Sequence, residues 1–529
     1  MIAYTQEKWT DDVVPSERGQ ETRKKERKNT MKANMKLALT AVLIVAMFAA
    51  VSSMALAAKD SVTMAIPTTD LNTLDPHNSN MIVDRVVRAN IFDCLMYFYQ
   101  GKYENVLIDK YELSSDGTTY TFYLKKGVKF HNGEELTAND IIYSMERAKK
   151  STVMATFTAI IKSVTAKDKY TAVITLEKPY VPFLLSVAAN VPIMNEKAVL
   201  AYGDKYQRNP VGTGPYKFVR WDAGQKIVLE RFDDWHGGKA PIKTATFMFL
   251  SDPNSALMAT ETGEIDLTFT MPPIAVPEII KSGRLNLYKA PTIASGFLVF
   301  NLEKPPMNDK NLRLAMAYAV DKQEIVDVAL EGLGVVSKAL WDERVGGYAG
   351  AYKPVEKNLE KAKEYLAKSN YKGQEINFII GYEYYRKVAT LVQEQLRKIG
   401  INVKVSMMES NAWLAEVRKG NYDMSTVNMS MEFDVDFWAN AFHSRGIGGF
   451  NFGRMNIPEV DKAFDEGKSI IDPVKRKQAY AVIEKALYED ASVIPHYFQV
   501  IPVAYNKNLE VSRFTSIGYA RVIDMKWLR

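Results

Sequence analysis

Hydrophobic and polar positions are arranged in two different ways along this chain. In the first half the alternation is short and strand-like. Tyr120, Phe122 and Leu124 alternate with polar neighbours, as do Val128 and Phe130, and Asn132-Gly133 turns the chain. Val164 and Ala166 match Ala172, Ile174 and Leu176 across Asp168-Lys169, which predicts a hairpin. Tyr216 and Phe218 lead through Asp222-Ala223-Gly224 to Ile227 and Leu229, a second one. Thr137 with Asp140 opens a helix that carries Ile141, Ile142 and Met145. A β-α-β unit closes this half: strand Thr244–Leu250, a helix started by Asp252-Pro253 and stopped by Gly263, then Ile265, Leu267 and Phe269.

The second half is wound differently. Asp321 with Glu324, and Asp472 with Pro473, mark helix starts. Between them strand Ile376–Ile380 precedes a helix with Val388, Leu391, Val392, Leu396 and Ile399 on one face. Gly400 stops that helix, and Ile401, Val403 and Val405 alternate as the next strand. Asn411 opens a helix that Gly420 ends, and Tyr422–Met429 reads as a third strand. Strands alternating with helices imply a parallel sheet, with ligands beyond the carboxyl ends of its strands. Two loops hold that position, 381–385 with Tyr382 and Tyr384, and 430–434 with Ser430, Met431, Glu432 and Asp434. Both mix aromatic rings with carboxylates, which suits a polar organic ligand.

Composition narrows the classes. A chain of 529 residues, 47% hydrophobic and 25% charged, is a packed protein of several domains, not a disordered or multi-span chain. Its one cysteine, Cys94, excludes an intramolecular disulfide and a cysteine metal cage. Residues 1–57 hold nine basic and six acidic side chains, so half of the formal +6 belongs to them. The remaining 472 residues are close to neutral, with no basic stripe, which argues against nucleic acid as a partner. Lys32 and Lys36 precede Leu37–Val51, apolar except for Thr40, and Ala55-Leu56-Ala57 follows. This reads as a signal peptide cleaved after Ala57 behind a mis-assigned upstream start, and too short for a membrane span. No cysteine follows the cleavage point, so the expectation is a secreted, periplasmic protein without a lipid anchor.

Catalytic motifs are weak. His77, His131, His236, His443 and His496 show no ligand spacing, so neither metal nor cofactor is expected. Gly212-Thr213-Gly214 lacks the end of a phosphate loop and leads into a strand, so it reads as a structural turn. Ser369 and Lys372 match SxxK, and Lys281-Ser282-Gly283 resembles KTG, but the order is reversed and Ser369 closes a helix. An enzyme is therefore not expected.

Four segments in order then carry a family resemblance. Residues 116–148, 209–267, 306–326 and 472–498 resemble the periplasmic substrate-binding proteins of peptide- and nickel-type ABC importers, the extracellular solute-binding family 5. The resemblance implies an α/β two-lobed clamshell of class II type, cluster C, with an extra α+β subdomain. Lobe I would comprise 58–92, 208–290 and 499–529, the inserted subdomain 93–207 and lobe II 291–498, hinged near Ala290–Pro291 and His496–Val500. It implies a monomer that delivers a small organic solute, peptide-like first, to permease subunits in the inner membrane. Asn78, Ser79 and Asn80 would belong to the first cleft loop, Ser295, Gly296 and Phe297 to the segment after the crossover, and Trp438 to the acidic loop. Dipeptide binders hold the amine with an aspartate, matched here by Met431, or by Glu432 with a one-residue shift. Their carboxylate-binding arginine is matched only by Arg386, at a helix start. That departure points equally to a cationic or amide-bearing solute stacked on aromatic rings.

Overall fold

The computed structural model describes residues 59–99, 101–430 and 434–528. Its centre is an 11-stranded sheet. In chain order the strands are β1 (Ser61–Ile66), β2 (Tyr216–Asp222), β3 (Lys226–Arg231), β4 (Thr244–Phe249), β5 (Leu267–Thr268) and β6 (Leu285–Phe300). They continue with β7 (Gly334–Val336), β8 (Ile376–Ile380), β9 (Val403–Met407), β10 (Met424–Met429) and β11 (Val493–Asn506). Across the sheet the order is β9-β8-β10-β6-β11-β5-β1-β4-β3-β2, with β7 on β11. β1 is parallel to β4 and β5 at one end, and β8 is parallel to β9 and β10 at the other. The long antiparallel pair β6 and β11 joins the two parallel groups.

Each half builds its own core. The first lobe packs Val62, Met64 and Ile66 of β1 and Phe247 of β4 against Val86, Val87 and Ile91, with Val503, Val522 and Met525 from the far end of the chain. In the second lobe one face of the sheet buries Phe378 and Ile380 under Val388, Val392 and Leu396. Its other face buries Phe297, Val299 and Ile379 with Trp413, Trp438 and Tyr480. A third core lies between Leu95 and Ile193. There a four-stranded antiparallel sheet, in the order Ile108–Leu113, Thr119–Leu124, Thr171–Leu176 and Ile161–Asp168, carries the helix Ala138–Lys150.

Local chemistry explains the boundaries. Asp140 accepts from the Thr137 backbone N–H at 2.9 Å, closing the expected capping box. Asp252 caps Pro253–Thr262, and Gly263 ends that helix at φ +80°. The hairpin at Asp168 pairs with Thr171, as its alternation predicts. Three expectations change. Glu409, not Asn411, caps the helix Ser410–Lys419, its carboxylate accepting from the N–H groups of Asn411 and Ala412. The strand expected over 265–269 is ordered as a ladder only at Leu267–Thr268. Val128 and Phe130 lie outside any strand, with only an isolated bridge from Lys129 to Glu135.

The joint between the lobes is visible as a break in register. Pro291 faces Val500, but the next partners are Ser295 and Phe498, so β6 advances four residues while β11 advances two. The Thr292 hydroxyl bonds the Gln499 carbonyl at 2.8 Å across the break, and the Ile293 N–H reaches the Ser516 carbonyl at 3.3 Å. A bulge of this kind bends both strands where ladder bonds are fewest. On one side of it the third core touches the second lobe. The Tyr180 hydroxyl donates to Asp436 at 3.3 Å, the Val181 N–H donates to the Lys468 carbonyl at 2.8 Å, and Phe157 lies 5.9 Å from Phe437.

Candidate functional site

A cavity of about 220 Å³ lies on the first-lobe side of this joint. Its walls come from three places: the helix Ile82–Arg88 with the strand Met96–Tyr99 after it, the Leu185–Pro192 stretch, and the C-terminal segment 513–524. A smaller space of about 60 Å³ shares Phe98, Tyr99, Thr515 and Ser516 with it and reaches Pro291, Ile293 and Arg344 at the strand break. The two together run from the first-lobe wall to the strand break.

Arginines dominate the polar wall. Arg85, Arg88, Arg513 and Arg521 line the cavity, with Asp524 the carboxylate among its lining residues. Arg513 bonds Glu104 at 2.7 Å and lies 3.8 Å from the centre of the Tyr99 ring. Arg521 lies 4.4 Å over Tyr97 and meets Asp524 at 3.5 Å. Arg88 donates to the carbonyls of Ser79 at 2.8 Å and Asp75 at 3.3 Å. Burial pulls the Arg88 guanidinium down to about 10 despite Asp84 beside it. Behind the wall, Asp93 accepts from Tyr97 at 2.7 Å and pairs with His236 at 3.1 Å. Burial works against its charge, but those bonds and Arg521 outweigh it and hold the carboxyl below its usual value. Cys94 also lines the cavity, where burial and then Asp93 push the thiol up to about 12, so it stays protonated at neutral pH.

The residues singled out from the sequence separate into three groups. Asn80 lines the cavity. Its neighbours serve the wall: Ser79 is buried and hydrogen-bonded to Asp84, and Asn78 donates to Asp75 at 3.2 Å. Tyr382 and Tyr384 are 41% and 59% exposed, on the turn after β8, with Tyr384 4.1 Å from Tyr385 and Tyr382 edge-on to Trp413 at 5.8 Å. Ser430 is exposed just past β10. Met431 and Glu432 lie outside the described residues.

The rest turn inward in this structure. Ser295 and Phe297 share a strand face with Ile293, and Phe297 packs into the second lobe's core. Gly296 is held close to β11, where a Cβ would stand 2.5 Å from the Tyr497 ring. Trp438 is 1% exposed and stacked on Phe442 at 5.8 Å. Asp434 forms a buried two-pronged pair with Arg476, at 2.6 and 2.8 Å, and caps the turn at Asp436. Arg386 pairs with Glu383 at 2.7 and 2.9 Å on an exposed helix face. The Ser369 hydroxyl bonds the Leu366 carbonyl at 2.6 Å, so the SxxK match is a helix end. Among the described residues no group of His, Cys, Asp and Glu is arranged for a metal, and no helix is long and apolar enough to cross a membrane.

The cavity arginines carry no local motif. Arg85 and Arg88 are separated from Arg513 and Arg521 by most of the chain, and only folding joins them. The one available signal was Arg521 within the apolar run Tyr519–Ile523, where a charge needs a reason.

Two parallel half-sheets joined by a bulged strand pair, with a cavity beside the joint, define a two-lobed ligand-binding clamshell. Bacterial extracellular solute-binding proteins, family 5 (middle region), match residues 102–448, and the chain belongs to this family. The glutathione-binding protein GsiB of Pectobacterium atrosepticum is 29% identical over 461 residues, covering 84% of this chain and 89% of that protein. HbpA2 from Haemophilus parasuis superposes with a TM-score of 0.80 at 26% identity, over 88% of this chain and 99% of that one. The ABC transporter substrate binding protein CtaP from Listeria monocytogenes gives 0.82 at 22% identity, over 89% and 100%.

Proposed function

We propose that this protein captures a peptide or amino-acid-derived solute between its lobes and hands it to the membrane permease of an ABC importer. The observation that carries this reading is the first-lobe cavity with a smaller space beside it that reaches the strand break, where a small rotation of one lobe changes access. We take 58–92, 208–290 and 499–529 as lobe I, 93–207 as its inserted subdomain and 291–498 as lobe II. The protein acts in the periplasm as a monomer after removal of residues 1–57, which lie outside the described residues. It performs no chemistry on the solute.

Glutathione is the first ligand to test, since relatives at this level of identity are named for binding it. The arginine wall disfavours the cationic solute that the loop carboxylates alone suggested, because like charges in a half-buried site repel. Titration calorimetry of the mature protein against glutathione and a set of di- and tripeptides tests the proposal. One-to-one binding at micromolar affinity or tighter is expected for at least one of them, with a smaller radius of gyration on binding. A protein that binds none of them refutes the peptide reading.

A further inference from the structure

The contact between the third core and the second lobe combines backbone, ring and carboxyl groups. The Val181 N–H donates to the Lys468 carbonyl at 2.8 Å, and the Phe157 and Phe437 rings lie 5.9 Å apart. Gly117 seats so closely against Ile471 that a Cβ there would stand 2.4 Å from its Cδ1. Between the same two parts the Tyr180 hydroxyl donates to Asp436 at 3.3 Å. None of these residues lines either space at the strand break, so no bound solute is needed to make the contact.

Asp436 is the one member of this contact that can change its charge near neutral pH. Its Oδ1 is buried and makes no hydrogen bond. Asp434, on the same turn, faces it as a like charge. Arg476 and Tyr480 act on it from the helix Pro473–Glu489, and Lys468 from the end of the helix Pro458–Gly467. Both cations are engaged elsewhere, Arg476 with Asp434 at 2.6 Å and Lys468 with Asp465 at 3.0 Å. The third core presents Tyr180 to Asp436 and Tyr103 to Asp434, and burial keeps both phenols protonated. Burial first, and Asp434 second, raise the Asp436 carboxyl to about 6. Parting the lobes would take Tyr180 away and let water reach the carboxyl, and a dry, half-paired carboxylate costs more than a hydrated one.

We propose that this contact is a latch that closes the two lobes with uptake of one proton at Asp436, so that acid favours the closed form whether or not solute is bound. A group that holds its proton more tightly in the closed form adds its full share below about pH 4 and loses it as the pH rises through 6. From 3.8 to about 6, the closing equilibrium weakens by at most on the order of 100-fold. The contacts of Val181 and Ile471 carry no charge and hold the fit of the two surfaces at either pH. The latch belongs to the empty protein and is separate from what the protein carries.

Small-angle X-ray scattering of the whole protein, freed of carried solute by unfolding and refolding, follows the radius of gyration from pH 4 to 8. The wild type should be more compact in acid and expand as the pH rises toward 8. Asp436→Asn, neutral at every pH, should stay compact throughout. Thermal melting reports whether the variant is folded. A wild-type radius that is constant over this range, or that grows in acid, overturns the inference without need of the variant. A folded Asp436→Asn protein whose radius follows the wild-type curve overturns it as well, because another group would then set the response. Neither result bears on whether peptides bind, which the calorimetric titration reads separately.

Discussion

Replacing Asp436 by asparagine should change how the stability of the protein depends on pH. Asp436 sits where the third core meets the second lobe, one oxygen accepting from Tyr180 at 3.3 Å and the other, Oδ1, buried without a hydrogen bond. Burial first, and the Asp434 charge second, push its carboxyl up to about 6; Lys468, Arg476 and the Tyr180 bond pull the other way without prevailing. A carboxyl raised in the folded state binds a proton that the unfolded chain has already released. Its contribution is therefore complete below about pH 4 and disappears as the pH rises through 6. A displacement from 3.8 to about 6 corresponds to about 3 kcal/mol at most. Unfolding a unit of roughly 470 residues carries about 1 kcal/mol/K of entropy, so the expected shift is about 3 °C for cooperative unfolding. Asp436→Asn keeps an acceptor for Tyr180 and removes the charge. Melting followed by calorimetry from pH 4 to 8 should show the variant above the wild type at pH 7.5, by up to about 3 °C, with the difference closing toward pH 4. A variant that melts lower than the wild type at pH 7.5 would mean that the ionised carboxylate is favourable there, through Lys468 and Arg476, and would refute the reasoning.

Three further substitutions probe the framework. Arg476→Ala strands the buried Asp434 charge and should cost about 3–5 kcal/mol, read by chemical denaturation; a loss below about 1 kcal/mol would contradict the pairing. Trp438→Ala should cost a similar 3–5 kcal/mol, because the ring is buried and stacked on Phe442. Gly212→Ala places a Cβ 2.1 Å from the Ile91 carbonyl oxygen, so a soluble variant should melt well below the wild type; an unchanged melting point would show that the turn yields easily.

The second lobe is legible in the sequence because its signals are local. β8 is a short run of β-branched and aromatic residues, β9 alternates Val403 and Val405 with polar neighbours, and Gly400 and Gly420 end the intervening helices at φ +89° and +81°. Capping chemistry at Thr137, Asp252 and Asp472 marks helix starts for the same reason. Side-chain direction is harder. Phe297 and Trp438 follow cleft-forming segments in order, but the pleat of β6 and the packing of Phe442 decide that they face the core. Asp434 is an acidic loop residue in sequence and a buried structural ion in three dimensions, because its partner Arg476 arrives from a later helix. The cavity is least legible of all. Its arginines come from the two ends of the chain, and nothing in local spacing signals their meeting.

Native mass spectrometry of the protein, purified without denaturant, tests the central claim most directly. A discrete added mass is expected that is lost on unfolding and belongs to a peptide or amino-acid-derived solute. A protein that carries no such mass, and acquires none when incubated with glutathione and acidic tripeptides, would contradict it.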